Sequence, residues 1–447
     1  MTFDKVTFDR VLKFGGAALA DGPGVLRACK LVQERGGARP IVVVSAHQGV
    51  TDLLDTVGRS ALEGHLEGDR IRIRHRTLLR QLDLEPDILD RYFTELFGLL
   101  AEVQVRRRLL SGQHDHLLSF GERMSARIVA HSLKKMGLRA APIDAWDLGL
   151  TTDSNHGDAR PLPEGTAQIR AALEQVTGIP VVTGFLAKDS RGNLTTMGRN
   201  GSDLTAVLVA EAVGANEVQL WKAVGGMMTA DPEIVADARV IESLGFQEAT
   251  EYAFHGAEVL YGPALSPVQR GGITVRILDV HQPSARGTVL EARTIGEGPV
   301  GIAARRNVLR LDCAIGASEL RAPRVAELFT VLARHRVEPG VVSTAGDRIS
   351  VLVAPGGNVD ACVAELGRRV NVTRDLGLAA VIGRDVGSDT ALASRALELL
   401  AEERVEVREA FLGVRAPSQV FIVPANDLER AVRALHAGLL SPVRTRA

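Results

Sequence analysis

The chain has 447 residues, which is long enough for two to four domains that each bury a core of their own. Its 53 lysines and arginines balance 54 aspartates and glutamates, and a net charge of −1 argues against nucleic acid or an anionic membrane as the main partner. An aromatic content of 4% and 45 glycines are typical of a loop-rich α/β enzyme rather than a β-sandwich.

The cysteines and the N-terminal sequence predict a cytoplasmic protein. Cys29, Cys313 and Cys362 are far apart, and none belongs to a C-x-x-C motif. This pattern argues against a disulfide framework or a structural zinc site and favours reduced thiols. The charged start, MTFDKVTFDR, does not resemble a signal peptide, and no stretch approaches the ~20 apolar residues of a membrane span.

Apolar and amphipathic segments alternate through the first two-thirds of the chain. Four continuous apolar segments are predicted strands: 39–46, 179–187, 217–224 and 273–278. Two amphipathic segments between them are predicted helices: 121–137 and 203–215. The alternation predicts one domain over residues 1–295, with a mainly parallel sheet covered by helices on both faces. Such a sheet places its ligands at the carboxyl ends of its strands.

The last third of the chain contains an internal repeat. LARHRVE at 332–338 and LVAPGGNVDACVAEL at 352–366 recur 68 and 69 residues later as LAEERVE and FIVPANDLERAVRAL. Each repeat predicts a helix–strand–strand–helix unit that is too small for a generous core, so we expect the two units, 305–375 and 376–447, to pair side by side. In an alternative arrangement, the C-terminal strand or helix returns to complete the first unit. Such tandem units usually sense a ligand; the alternative is a simple dimerisation module.

The first of four short motifs is VLKFGGAALA at residues 11–20. It places Lys13 and two glycines where an apolar strand ends. Gly15 and Gly16 allow a tight turn, and the ammonium group of Lys13 is suited to face an anion. The motif therefore indicates either half of a phosphate site or an ordinary turn after a strand.

A second motif, TTMGRNGSDLTAVLVAEA at 195–212, places Ser202 and Asp203 at the start of a predicted helix. Free backbone N–H groups at such a helix end bind anions, and Arg199 adds a planar fork that suits a carboxylate. The motif is neither a Walker A loop nor a Rossmann fingerprint. By itself it is equally well explained as a turn that caps a helix.

The remaining two motifs are SAHQGVTDLL at 45–54 and SFGERMSARIVA at 119–130. The first supplies Ser45 and Thr51 directly after an apolar strand, where a ligand can approach the backbone. The second places Glu122 near the start of a predicted helix, where the helix dipole favours a carboxylate even without a ligand. Each motif alone is compatible with a purely structural role.

In this order, the four motifs resemble those of aspartate kinases, which are members of the amino acid kinase family. The family motifs K-F-G-G-T-S, G-E-x-x-S, G-R-G-G-S-D and W-T-D-V-x-G-x-x-T-x-D-P correspond here to KFGGAA, GERMSAR, GRNGSD and WKAVGGMMTADP. EATEYAFHGAEVLY at 248–261 resembles the family segment E-A-x-E-M-A-x-x-G-A-K-V-L-H. The tail repeats resemble the two ACT regulatory units of the same family.

This resemblance implies a fold, an activity and partners. The fold is a three-layer sandwich around a mainly parallel sheet, followed by two small α+β units of ferredoxin-like ACT type. The activity is transfer of the γ-phosphoryl group of ATP, with Mg²⁺, to the side-chain carboxylate of L-aspartate, which gives an acyl phosphate. This reaction is the first step in the biosynthesis of the aspartate family of amino acids. The ACT units imply a homodimer or a higher homo-oligomer.

The resemblance also implies roles for individual residues. Lys13 would stabilise the transferring phosphoryl group, and Asp203 would organise the lysine side of the site. Arg199 would bind the α-carboxylate of the amino acid, and Glu122 would bind its ammonium group. The expected substrate-binding residues are Ser45, Thr51, Glu122, Arg199 and Ser202. The expected nucleotide-binding residues are Gly15, Gly16, Lys222, Ala223, Met228, Glu233 and Glu258. No protein metal site is expected.

The nucleotide side departs from the family pattern in its hydroxyl groups. Ala17 and Ala18 stand where the family has Thr-Ser, so two phosphate-facing hydroxyls are missing. Lys222 and Ala223 stand where the family has Thr-Asp after the tryptophan. The amino-acid side, by contrast, matches the family at each position named above.

Charge also changes on the nucleotide side. Glu233 and Glu258 replace an arginine and a lysine of the family, so two cationic phosphate contacts become carboxylates and Lys222 restores one positive charge. Two alternatives to an active aspartate kinase therefore stay open. One is a catalytically weak paralogue that acts as an amino-acid sensor or partner subunit, and the other is a kinase reshaped for another carboxylic acid.

The regulatory part departs as well. Ala322, Pro323 and Gly340 do not supply the effector-binding groups that the family has at these positions. We therefore do not expect feedback by lysine or threonine in the usual mode. Another effector or purely structural ACT units remain the alternatives.

Overall fold

A computed structural model describes most of the chain. The described residues are 8–256, 265–291, 297–316, 320–354, 356, 358–413 and 417–440. In this part of the chain, no helix is long and apolar enough to cross a membrane.

Strands and helices alternate in the N-terminal part. In chain order its strands are β1 (Arg10–Phe14), β2 (Ile41–Val44), β3 (Ala140–Ile143), β4 (Thr151–Thr152), β5 (Ile179–Thr183), β6 (Leu186–Asp189), β7 (Leu194–Thr196), β8 (Glu217–Lys222), β9 (Ser243–Gly245), β10 (Thr274–Asp279) and β11 (Thr288–Glu291). Its helices are α1 (Gly22–Arg35), α2 (Val50–Glu63), α3 (Asp69–Leu82), α4 (Asp90–Arg106), α5 (Ser111–Lys135), α6 (Ile169–Glu174), α7 (Gly201–Val213), α8 (Phe246–Phe254) and α9 (Leu265–Gly271).

Eight of these strands form one sheet in the order β3-β5-β2-β1-β8-β10-β11-β9. All neighbours are parallel except β10 and β11, which confirms the predicted mainly parallel sheet. The central strand β2 reads IVVV and is buried throughout, as expected for a strand covered on both faces. A smaller sheet, in the order β4-β6-β7, completes this part.

The pleat of β1 decides which side chains face the functional site. Leu12 and Phe14 belong to the core cluster that also contains residues of α1 and α5. Because neighbouring residues of a strand point to opposite faces, Lys13 points to the other face, where α7 contacts β1. The strand therefore buries a lysine beside a helix start.

Helix α5 differs from the prediction at its start. We predicted a helix over 121–137, but it begins at Ser111. Its first turns read SGQHDH and look like a polar loop. Asp115 in this stretch is 1% exposed and accepts hydrogen bonds from Thr196 Oγ1 at 2.7 Å and from the backbone N–H of Gly157 at 3.2 Å. Burial through these polar contacts, rather than an apolar face, brings the first turns into the helix.

The C-terminal part contains a second sheet, which is antiparallel throughout. Its strands are β12 (Gly298–Ala314), β13 (Pro339–Thr344), β14 (Arg348–Val353), β15 (Val370–Arg384), β16 (Glu409–Leu412) and β17 (Ser418–Pro424). Its helices are α10 (Arg321–Arg334), α11 (Val359–Leu366), α12 (Thr390–Glu402) and α13 (Leu428–Leu439). The strand order is β13-β14-β12-β15-β17-β16.

Two core clusters lie on this sheet, one for each predicted α+β unit. One cluster joins Leu311 of β12 to α10 and α11, and the other joins Ile302 of β12 to α12 and α13. Leu311 is paired with Val372, and Ile302 with Val381, so the long strands β12 and β15 each serve both clusters. The front end of β12, at residues 298–305, thus supplies a strand to the second unit.

By packing, the described chain divides into two compact units. The first contains residues 8–227, 242–246 and 265–291, and the second contains 228–241, 247–256 and the described residues from 297 to 440. Two segments before residue 295 therefore pack with the C-terminal sheet. Ala230 and Ile234 share a core with Val432, and Thr229 Oγ1 lies 2.9 Å from His436 Nε2. The domain boundaries given above stay a prediction.

Two buried histidines lie next to each other in the first compact unit. The ring of His75, on α3, is 5.9 Å from the ring of His47 and 6.3 Å from that of Phe93. His75 Nδ1 lies 2.8 Å from the carbonyl oxygen of Ile71, and His47 Nδ1 lies 2.7 Å from that of Leu19. Burial lowers the pKa of His75 to about 3 and that of His47 to about 4. Both rings are therefore neutral in the folded protein.

These histidines make the fold sensitive to acid. Below the ordinary histidine pKa of about 6.5, these two histidines bind protons in the unfolded chain but stay neutral in the folded protein. The free energy of unfolding therefore falls as the pH drops. We expect His75→Phe to reduce the loss of stability between pH 7.5 and pH 5 by about 2 kcal/mol. Urea unfolding at the two pH values measures this, with His65→Phe at an exposed position as the control. Identical pH dependence in His75→Phe and the wild type would contradict the assignment.

Candidate active site

A buried ion pair lies at the end of β1. The Nζ atom of Lys13 is 2.6 Å from Oδ1 of Asp203, which lies in the first turn of α7. The two side chains are 7% and 1% exposed. The pleat of β1 and the start of α7 bring the two side chains together.

Lys222 contacts the same carboxylate. It is the last residue of β8, and its Nζ atom lies 3.0 Å from Oδ2 of Asp203. Burial alone would raise the pKa of Asp203, but the two ammonium groups lower it to about 2. Burial lowers the pKa of Lys13, and the charge of Lys222 adds to this effect while Asp203 opposes it. We call Lys13, Asp203 and Lys222 the lysine–carboxylate cluster.

The two glycines after β1 have different surroundings. The backbone N–H of Gly15 donates to the carbonyl oxygen of Trp221 at 3.2 Å, and a Cβ added at Gly15 would meet nothing closer than 3.7 Å. A Cβ at Gly16 would lie 2.8 Å from the carbonyl oxygen of Ala46. The carbonyl of Gly16 also accepts from the backbone N–H of Gln48 at 3.1 Å. Gly16 is thus required by the close approach of the segment that follows β2.

Glu122 reaches that segment from α5. Its Oε1 atom accepts a hydrogen bond from the backbone N–H of Ala46 at 3.0 Å, next to Ser45. Its Oε2 atom is buried and has no hydrogen-bond partner among the residues that the structure describes. Burial raises the pKa of Glu122 to about 7. A buried carboxylate with an unused oxygen is suited to receive a cationic ligand. Thr51 lies near the start of α2 on the same segment.

The segment before α7 depends on unusual backbone conformations. Gly198 has φ +69° and Asn200 has φ 55°, on either side of the exposed Arg199. Asparagine tolerates this left-handed region, so it occupies a place where the family motif has glycine. Ser202 follows in the first turn of α7 and is buried.

Sequence reasoning missed Phe185, a residue that supports this segment. It has φ 67°, which is rare for a bulky side chain and is found where the surroundings enforce it. Its backbone N–H donates to Thr205 Oγ1 at 3.0 Å, and its carbonyl accepts from the backbone N–H of Met197 at 2.9 Å. Gly184 before it allows close approach, because a Cβ there would lie 2.5 Å from Cβ of Ser202. The dipeptide Gly184-Phe185 was the available signal in the sequence.

The predicted nucleotide residues are distributed over both compact units. In the first unit, Lys222 belongs to the lysine–carboxylate cluster, Gly15 and Gly16 directly follow β1, and the exposed Ala223 directly follows β8. Met228 forms an isolated bridge with Val240. Glu233 is exposed and belongs to the second compact unit. Glu258 lies outside the described residues. Within the described ranges, no group of three His, Cys, Asp or Glu side chains is placed to hold a metal ion.

Comparison with known proteins finds similarity to one family. Residues 10–279 match the model of the amino acid kinase family. The chain is 30% identical to aspartokinase 3, chloroplastic, of Arabidopsis thaliana, over 96% of this chain and 81% of that protein. It is 29% identical to lysine-sensitive aspartokinase 3 of Escherichia coli strain K12, over 96% of this chain and 98% of that protein.

Two solved structures of E. coli aspartokinase III resemble this chain. The complex with aspartate and ADP, in the R-state, has a TM-score of 0.84 at 29% identity and covers 96% of this chain and 99% of its own. The complex with lysine and aspartate, in the T-state, has a TM-score of 0.76 at 28% identity and covers 97% of this chain and 100% of its own. The similarity thus extends over both compact units.

The two glycines after β1 provide a matched pair of variants. We expect Gly16→Ala to lower the free energy of unfolding by about 1–3 kcal/mol, because its Cβ forces the segment after β2 to move. Gly15→Ala should change it by less than about 0.5 kcal/mol. Urea unfolding of both variants checks the difference, and equal stability of the two would show that the close approach at Gly16 is not as described.

Proposed function

Because the chain belongs to the amino acid kinase family and, within it, to the aspartate kinases, we propose that the lysine–carboxylate cluster is the place of phosphoryl transfer. The observation that carries this proposal is the buried contact between Lys13 and Asp203 at the carboxyl end of β1. In a parallel sheet, ligands bind at this edge. β1 and α7, which are distant in the sequence, meet there and hold the ammonium group of Lys13 where a phosphoryl group can contact it.

The reaction of an aspartate kinase transfers the γ-phosphoryl group of ATP to the side-chain carboxylate of L-aspartate. A carboxylate oxygen forms a bond to the γ-phosphorus, and the bond from that phosphorus to the β,γ-bridging oxygen breaks. The bonding pair leaves with ADP, and the product is an acyl phosphate. The attacking carboxylate is already ionised near neutral pH, so no general base is needed. Catalysis then consists of holding two anions together and stabilising the charge on the transferring group.

In our proposal, Lys13 stabilises that charge and Asp203 positions Lys13. Lys13 is almost fully buried, so its interaction with a phosphoryl oxygen is stronger than it would be in water. Asp203 stays ionised because of its contacts with both lysines, which keeps the ammonium group of Lys13 in place. The backbone of Gly15 and Gly16 next to them contacts the phosphates.

We assign the amino-acid side to the segments around Glu122. The unused Oε2 atom of Glu122 receives the substrate ammonium group, and Arg199 receives the α-carboxylate. Ser45, Thr51 and Ser202 line the same pocket. Glu122 supports this assignment most directly. It is buried, and its Oε1 atom accepts a hydrogen bond from Ala46, while its Oε2 atom has no hydrogen-bond partner among the described residues.

ATP enters this proposal as its magnesium complex. Mg²⁺ coordinates phosphate oxygens of the nucleotide and neutralises part of their charge. E. coli aspartokinase III binds ADP in its R-state structure, which supports nucleotide use here. In the sequence, Ala17 and Ala18 replace hydroxyl-bearing residues of the family, Ala223 replaces an aspartate, and Glu233 and Glu258 replace cations.

We further propose a cytoplasmic homodimer, or a higher homo-oligomer, formed through the ACT units and insensitive to lysine in the usual mode. Ala322 and Pro323 lie in the first turn of α10 and offer no polar side chain there. Gly340 lies on β13, where a Cβ would come within 3.0 Å of the carbonyl oxygen of Leu352. These residues support the loss of the lysine-binding groups.

The activity and the role of Lys13 are tested together. We expect the wild type, given MgATP, L-aspartate and hydroxylamine, to form aspartyl hydroxamate from the trapped acyl phosphate. Lys13→Ala should lower kcat about 100-fold or more, because it removes the buried cation at the transferring group, and leave aspartate binding measurable by calorimetry. Lys30→Ala, at an exposed lysine of α1, is the control. No hydroxamate from the wild type would contradict the proposed function; normal turnover in Lys13→Ala would contradict the role of Lys13.

Glu122 predicts a pH dependence for aspartate binding. Its pKa of about 7 means that half of the free enzyme holds a neutral Glu122 at that pH, whereas an ammonium group binds the ionised form. We expect kcat/KM for aspartate to fall about tenfold per pH unit below pH 7. Glu122→Gln should raise KM about 10- to 100-fold and abolish this limb, while Glu102→Gln on the exposed face of α4 should leave it intact. An unchanged acid limb in Glu122→Gln would remove Glu122 from the ammonium site.

A further inference from the structure

The resemblance placed Lys222 on the nucleotide side of the site, but it did not predict the contact of Lys222 with Asp203. Asp203 already has a buried partner in Lys13 at 2.6 Å, and one ammonium group is enough to neutralise one carboxylate. A second lysine nevertheless contacts the other oxygen of the same carboxylate at 3.0 Å. The three side chains are between 1% and 14% exposed. A phosphoryl group that contacts Lys13 therefore arrives beside a second ammonium group, held on the same carboxylate.

The position of Lys222 is fixed by its strand. β8 pairs with β1 on one side and with β10 on the other, and the carbonyl of Lys222 accepts a hydrogen bond from the backbone N–H of Val280 at 2.9 Å. The preceding residue, Trp221, is fully buried and stacks on Phe14, with ring centroids 6.4 Å apart. Because neighbouring strand residues point to opposite faces, Lys222 is directed to the face on which Lys13 and α7 lie.

We propose that Lys222 is a second phosphoryl-binding cation of this enzyme, which compensates for the hydroxyl groups lost at Ala17 and Ala18. This inference rests on the proposed function, because it assumes that the phosphoryl group arrives at Lys13. The γ-phosphoryl oxygens contact the ammonium groups of both lysines, while Asp203 holds the two in register. Lys222, at the end of β8, thereby replaces part of the phosphate binding that is lost at Ala17 and Ala18 after β1.

Lys222 also acts on Lys13 through its charge. Among the residues that the structure describes, three charged groups act on Lys13: Asp203 from α7, Lys222 from β8 and Glu122 from α5. Of these, Lys222 is the one whose charge favours loss of the proton from Lys13. Lys13 must keep that proton to stabilise the phosphoryl group. Removing the charge of Lys222 therefore shifts the alkaline limit of activity to higher pH, an effect that a merely structural side chain would not have.

The test compares the full-length wild type with Lys222→Thr, Lys222→Arg and the surface control Lys30→Thr. Threonine is the residue of the family motif and suits a strand end, whereas arginine keeps the charge. We expect Lys222→Thr to weaken binding of magnesium β,γ-imido ATP about 10- to 100-fold by calorimetry. It should also move the alkaline limb of kcat to higher pH and leave aspartate binding unchanged. Lys222→Arg should retain most of the nucleotide affinity.

The outcomes separate this inference from the proposed function. Equal affinity of the wild type and Lys222→Thr for magnesium β,γ-imido ATP would overturn the role of Lys222, whether or not the enzyme turns over. An unchanged alkaline limb in an active Lys222→Thr would overturn it as well. Absence of hydroxamate from the wild type overturns the proposed function, and a Lys222-dependent affinity for the analogue would still establish Lys222 as a phosphate-binding residue. Urea unfolding of Lys222→Thr shows that any loss is measured on folded protein.

Discussion

The burial of Asp203 between two lysines is the interaction on which the catalytic centre depends. A carboxylate that is 1% exposed is tolerated because Lys13 and Lys222 contact its two oxygens. The same contacts connect three elements, β1, α7 and β8, at the carboxyl edge of the sheet. At the same edge, the segment after β1 packs closely against the segment after β2, where Gly16 approaches Ala46. Glu122 completes the arrangement by accepting a hydrogen bond from the backbone N–H of the same residue, Ala46.

Much of this arrangement could be predicted from the sequence. The continuous apolar strands gave the parallel sheet, and the order of the four motifs identified an aspartate kinase before any contact was known. The pairing of Lys13 with Asp203 followed from the same resemblance. The contact of Lys222 with Asp203 did not, because the resemblance compares Lys222 with a threonine and says nothing about where a longer side chain ends. The face of the sheet to which Lys222 points follows from the stacking of Trp221 on Phe14, a contact that the sequence does not show.

Other features could not be predicted because they depend on distant contacts. Phe185 adopts a left-handed backbone conformation that its own side chain disfavours, and it is held there by Thr205 and Met197. The start of α5 is polar in sequence, and Asp115 is buried there by partners on β7 and in the segment after β4. In the C-terminal sheet, the two clusters share β12 and β15, whereas the repeats alone predicted two units that pair side by side.

The central claim is that a carboxylate oxygen of aspartate attacks the γ-phosphorus at this cluster. L-Aspartate labelled with ¹⁸O in its side-chain carboxylate tests it most directly, with MgATP and hydroxylamine present. Hydroxylamine displaces phosphate at the acyl carbon, so the oxygen that formed the new bond to phosphorus leaves with the phosphate. We predict inorganic phosphate that carries one ¹⁸O atom, seen as an isotope shift in its ³¹P NMR signal. Phosphate without the label would mean that water, and not the carboxylate, receives the phosphoryl group, and would contradict the account.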